Sequence, residues 1–280
     1  EMPAKYWDFN GGDLFEEESV VKVRGAVEQY NGRDQFRIQQ IRPAAETDQY
    51  NLSDLVPSSA VGGRQIYYMM MKKVSAFQDQ DLKALVTDIM ESKKEILVTS
   101  PAAFRLHHAM VGGLMLHTMS IVRMAEQICK IYPNINRELL LSGAILHDVA
   151  KTWEFTFSKT GLVKGYSEGG ELIGHLVEGA MWVDSAAKRL GVPQEKAQLV
   201  EHMILSHHGV PEFGSPVRPM FVEAQILSAL DTLDAQIFEF RSATSKVEPG
   251  KFTDRQWSLE NRKLFNHGLS GTEHIVNLED

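Results

Sequence analysis

The 280 residues are 43% hydrophobic and 24% charged, with a formal net charge of −8. That supplies the core of one large or two smaller soluble domains and argues against wholesale coating of nucleic acid. No apolar run approaches the roughly 18 residues of a membrane span, so no membrane partner is expected. Cys129 is the single cysteine, which excludes an intramolecular disulfide and a cysteine-based zinc site and points to a reducing, cytoplasmic setting. The start, Glu-Met-Pro-Ala-Lys, has no secretory character. A strand follows it at once, so the natural N-terminus is expected upstream.

Residues 1 to about 45 read as β. Ala4 to Phe9 predicts a short aromatic strand, and Val20 to Val27 alternates, with Val21 and Val23 opposite Lys22 and Arg24. Asn31-Gly32 is the strongest short hairpin signal, and Gln35 to Ile41 supplies the return strand. Lys22, Arg24, Arg33, Arg37 and Arg42 outnumber Glu28 and Asp34 here. With Tyr30 among them, the hairpin suits a single-stranded nucleic-acid platform, although a solvated outer face fits the composition equally well. Residues 43 to about 75 contain Pro43, Pro57, Gly62 and Gly63 and predict a linker with one short helix.

From Gln80 the period becomes helical, through Leu82, Leu85, Val86, Ile89 and Met90. Further helices are expected at about 104–131, 136–151, 171–190, 194–208 and 219–243. Pro133, Gly191-Val-Pro193 and the segment from Gly209 to Pro219 punctuate them. Gly161, Gly165, Gly169 and Gly170 predict a loop or short hairpin flanking a site, and the polar tail from Val247 gives no clear pattern.

Within these helices, Leu139 to Leu146 are apolar nearly all round and lead into His147-Asp148-Val149-Ala150-Lys151. A buried aspartate beside a histidine is costly unless it is paired or bound to metal. The pair alone reads as readily as a packing hydrogen bond. Lys151, four residues after His147, is expected on the face of that histidine. His117, His175, His207, His208 and Asp231 are each placed inward by the apolar stripe of their own helix, whereas His202 falls on another face. Five successive helices that each aim His or Asp inward predict a common site. Imidazole and carboxylate donors suit Mn²⁺, Fe²⁺, Zn²⁺ or Mg²⁺, and seven candidate ligands exceed the needs of one ion. Asp148 would bridge His117, His147 and Asp231 on one side and His175 with His207 or His208 on the other. Two such ions can clamp a phosphoryl group, and Lys151 would stabilise its charge.

His117, His147-Asp148 and Asp231 match the ordered H, HD, D signature of the HD metal-dependent phosphohydrolases. His107-His108 to His117, Ala144 to Lys151, Leu172 to His175, His202 to Gly209 and Pro249-Gly-Lys-Phe-Thr-Asp-Arg255 resemble the YhaM family of 3′→5′ exoribonucleases, across essentially the whole chain. The resemblance implies a mostly α fold. It divides the chain into a partial OB-fold over 1–47 that holds single-stranded RNA, a linker over 48–78, and a helical HD domain with a C-terminal tail over 79–280. It implies Mn²⁺, with two ions, and self-association into a homo-oligomer. Asp148 and Lys151 are the expected catalytic pair, and Lys22, Arg24, Tyr30, Arg33, Arg37, Arg105 and His108 the expected RNA contacts. The nearest rival is the same chemistry on a cyclic dinucleotide or free nucleotide. A non-catalytic RNA-binding scaffold is the rival from another class.

Overall fold

The computed structural model describes residues 2–7, 9, 15, 19–50, 55, 61–103, 110–271 and 275–278. Strands β1 (Ala4–Lys5), β2 (Val21–Tyr30) and β3 (Arg33–Pro43) form a sheet in the order β1-β3-β2. Asn31 and Gly32 turn the β2–β3 hairpin with φ of 50° and 75°, the left-handed pair that matches strand twist. β1 joins β3 in parallel and is shorter than the strand expected over Ala4–Phe9; Asp8 lies outside the described residues. A bulge at Arg24/Gly25 shifts the register.

The helical part begins earlier than expected. Helix α1 (Gly63–Ser75) lies in the later part of what reads in sequence as linker with one short helix, and it buries Ile66, Met70 and Val74 in the main core. Those three recur every four residues, one apolar stripe, but Pro57 and Gly62-Gly63 mask it in a sequence reading. Helices α2 (Gln80–Ser92), α3 (Lys94–Leu97), α4 (Gly113–Ile131) and α5 (Arg137–Leu146) follow. The Asp79 carboxylate accepts from the amides of Asp81 and Leu82, and the Asn136 side chain from that of Leu139, so α2 and α5 each start on a side-chain cap. α4 is shorter than the helix expected over 104–131, and residues 104–109 are not described. α5 is the central rod, with Leu139 through Leu146 all buried.

The expected helix over 136–151 breaks at its chemical end. After Leu146 the backbone tightens to i→i+3 bonds, Lys151 N–H to the Asp148 carbonyl at 3.0 Å among them, before α6 (Lys151–Glu154). Strands β4 (Phe155–Phe157) and β5 (Val163–Tyr166) form the short hairpin. Then come α7 (Glu168–Leu172), α8 (Gly174–Leu190), α9 (Gln194–Ser206) and α10 (Val222–Thr244). The helix expected over 171–190 is thus two, parted where Gly174 takes a φ of 76° that only glycine adopts without strain. The tail carries β6 (Lys251–Phe252), a 3₁₀ turn at Trp257–Leu259 and β7 (Phe265–Asn266), with Leu259 and Leu264 packed on Ala243. Among the described residues, no helix is long and apolar enough to cross a membrane.

Candidate metal centre

Four helix ends converge on Asp148, which is 1% exposed. His117 comes from α4, His147 and Asp148 from the tight turn after α5, His175 from the first turn of α8, and His207 and His208 from the end of α9. Asp231 reaches in from α10.

The two carboxylate oxygens of Asp148 face different groups. Oδ1 lies 3.5 Å from His175 Nε2 and 3.6 Å from His207 Nε2. Oδ2 lies 3.3 Å from His147 Nε2 and 3.6 Å from His117 Nε2. An Asp231 oxygen stands 3.1 Å from His117 Nε2 and 3.8 Å from His147 Nε2. His208 joins the Oδ1 side through ring contacts with His175 and His207.

Each imidazole is held by its other nitrogen. Nδ1 of His117 lies 2.7 Å from Asp234, and Nδ1 of His175 lies 2.8 Å from Glu154. His147, His207 and His208 direct Nδ1 to the carbonyls of Ala144, Ile204 and Phe213, each at 2.8 Å. An Nδ1–H that donates to such acceptors leaves the Nε2 lone pair free, so each of the five rings, when neutral, turns that lone pair into one space. Asp148 Oδ1, His175 Nε2 and His207 Nε2 are buried with no hydrogen-bond partner. Orphaned polar atoms of this kind are costly, and three converging acceptors fit a cation.

Charge follows the same division. Burial disfavours the Asp148 carboxylate, yet Lys151 and His147 outweigh it and hold it well below the usual range. Burial also pulls the His117 imidazole down, but hydrogen bonds to Asp231 and Asp234 reverse this and raise it to about 10. His208 drops to about 4, first through burial and then through the neighbouring His207 and Lys151. Lys151 donates to Asp148 Oδ2 at 2.8 Å. The lysine expected on the face of His147 therefore sits on Asp148, because the i→i+3 turn replaces the i→i+4 spacing of a continued helix.

Residues 115–236 match the HD domain family model. The 3′-5′ exoribonuclease YhaM of Geobacillus sp. (strain WCH70) is 34% identical over 267 residues, 95% of this chain and 82% of that protein. The chain belongs to the YhaM family. Among other relatives, the YhaM exoribonuclease of Bacillus subtilis (strain 168) is 32% identical over 95% of this chain and 84% of that protein. The Listeria monocytogenes serotype 4b (strain CLIP80459) enzyme is 31% identical over 95% and 85%. The solved HD domain of the L. monocytogenes phosphodiesterase PgpH covers 51% of this chain and 72% of that chain at 19% identity, with a TM-score of 0.34.

In this YhaM-family chain the seven expected ligands come together, and His202 stays away, accepting from the Met220 amide at 3.0 Å. Three residues that the sequence reading omits support the site. Asp234 holds His117, Ser120 donates to Asp234, and Glu154 holds both the amide and the ring of His175. Asp234 follows Asp231 by three positions, and Glu154 follows Lys151 by three, so helix spacing was the available signal. On the sheet, Arg24, Tyr30, Arg33 and Arg37 are exposed. Lys22 is engaged with Asp48 at 2.7 Å, beside Arg42 on the same carboxylate, so the three groups together keep one net positive charge. Arg105 and His108 lie outside the described residues.

Proposed function

We infer that this chain is a metal-dependent 3′→5′ exoribonuclease acting on single-stranded RNA. The observation that carries the reading is the double-sided surrounding of Asp148, each oxygen facing its own set of lone pairs fixed from behind. His117, His147 and Asp231 would hold one divalent cation, His175, His207 and His208 a second, and Asp148 would bridge them. A set of imidazole and carboxylate donors with no thiolate suits Mn²⁺, Fe²⁺, Zn²⁺ or Mg²⁺, and of these Mn²⁺ is the ion the family resemblance implies. When bound, such ions would acidify a water and polarise the oxygens of the phosphoryl group whose phosphorus it attacks.

The chain's own residues supply orientation. Glu154 and Asp234 fix the rings they hold, and the three backbone carbonyls do the same at no cost in side-chain freedom. Lys151, on the Oδ2 side, supplies positive charge for a non-bridging phosphate oxygen. Water adds to the terminal phosphorus, the bond to the preceding 3′ oxygen breaks, that oxygen takes up a proton, and a 5′-mononucleotide leaves. Upstream RNA would lie along the exposed Tyr30, Arg24, Arg33 and Arg37.

The test incubates 5′-labelled single-stranded RNA with the protein in Mn²⁺ or in chelator, beside Asp148→Ala. A ladder that shortens from the 3′ end only with metal, and only in the parent, is the expected result. Intact RNA with turnover of a cyclic dinucleotide would assign the site to a small substrate instead.

A further inference from the structure

The metal centre uses Asp231 and Asp234 at the middle of α10 and leaves another face of the helix, from Leu233 onward, unexplained. There a groove of about 520 Å³ lies between α10 and the tail, with Leu233, Ile237 and Phe240 on one wall and Phe265 and His267 on the other. The helix residues form one stripe, about a third of a turn from the face of Asp231 and Asp234. A stripe of this kind normally packs on another element, yet Leu233, Ile237 and Phe240 are 44%, 39% and 36% exposed.

The tail adds aromatic faces. Phe252 and Phe265 meet across the β6–β7 pair with ring centroids 4.9 Å apart, and both stay open to solvent. Trp257, on the 3₁₀ turn, is 77% exposed. Charge decides what such a surface meets. From Arg241 to Gly271 the chain carries six lysines and arginines against three carboxylates, in a protein whose net charge is −8. An apolar protein partner needs no such cations. A single-stranded polynucleotide needs both features, aromatic faces for unstacked bases and cations for phosphates.

We propose that this groove binds single-stranded RNA, taking bases of the same strand whose 3′ end is processed at Asp148. The proposal rests on the exoribonuclease reading and adds a second contact surface to it. α10 then serves both ends of the task, the ligand Asp231 near its middle and base contacts on another face toward its finish.

The test compares the parent with Phe265→Ala, Trp257→Ala and the pair Lys251→Glu/Lys263→Glu. Two readouts are taken: binding of a long fluorescent oligoadenylate by anisotropy in chelator, and turnover of a diribonucleotide in Mn²⁺. Affinity for the oligoadenylate should fall about tenfold in each aromatic variant, and the charge-reversed pair should show a shallower dependence on salt. Diribonucleotide turnover should match the parent in all three, which also certifies folding. If Phe265→Ala does not fold, Phe240→Ala on the opposite wall of the groove carries the comparison. Unchanged oligoadenylate affinity in the folded variants would overturn the proposal. So would a parent dimer, seen by light scattering without RNA, that is lost in the variants, because a second copy would then occupy the groove. A parent that binds oligoadenylate but cleaves neither substrate would refute the exoribonuclease reading and leave the groove result standing.

Discussion

Asp148 and its supports set the expectations at the scale of the residue. Asp148→Ala removes the atom pair that both histidine groups share, and it should abolish Mn²⁺-dependent hydrolysis while the protein still folds, read by circular dichroism beside the RNA ladder. Glu154→Gln and Asp234→Asn keep each shape but take the negative charge from behind an imidazole. Metal affinity should fall roughly 10- to 100-fold in each, measured as the Mn²⁺ concentration for half-maximal activity. His117 adds a pH dependence. With its value raised to about 10, the ring is protonated at neutral pH without metal, and both nitrogens serve as donors to carboxylates. A cation that takes Nε2 must expel that proton, so uptake should release up to one proton from this ring and apparent affinity should rise with pH. Calorimetry in two buffers of different ionisation enthalpy measures the release, and a buffer-independent heat would contradict it. The clustering of these histidines and aspartates was legible in sequence because each lies on or beside an apolar stripe. Glu154 and Asp234 were not, because a carboxylate beside a ligand looks like an ordinary helix surface charge until the fold shows what it touches.

The elements explain where sequence reading stops. α5 is recognisable as buried because it is apolar all round, and Leu140→Ala, at a fully buried position, should cost ~2–5 kcal/mol in urea denaturation. α1 was hidden by its glycines, and the break after Leu146 by a helical pattern that continues through it. Hydrophobic period reports which face is buried but not whether the hydrogen bonds run to the third or fourth residue. Asp79 shows how distant elements are joined. It caps α2 and also pairs with Lys196 of α9 at 2.7 Å. Burial opposes its carboxylate, but Lys196 and the capped amides prevail and lower its value. A carboxylate lowered by folding stabilises the native state above its ordinary value near 4 and loses that contribution as pH falls through the lower folded value. Asp79→Ala should therefore destabilise by ~1 kcal/mol at neutral pH, with the difference from the parent shrinking in acid when melting is followed from pH 7 to pH 3.

For the molecule as a whole, the helical class and the order of the helices that bring the histidines and aspartates together were present in sequence because both rest on local periodicity. The tail was not, since strands of two residues have no period to detect, and its core joins Ala243 of α10 to Leu259 and Leu264, which are well separated from it in sequence. The five imidazoles anchored through Nδ1 carry a further consequence, in the language of energy landscapes. Without a cation, the lone pairs of His175 and His207 and the unpartnered Asp148 oxygen confront one another in a buried space, a local conflict the rest of the fold must override. The metal-free chain is thus frustrated at its own centre. Ions would complete its interior as much as its chemistry. Mn²⁺ should raise the melting temperature of the parent but not of Asp148→Ala, and it should slow amide exchange first in the segment from His147 to His175.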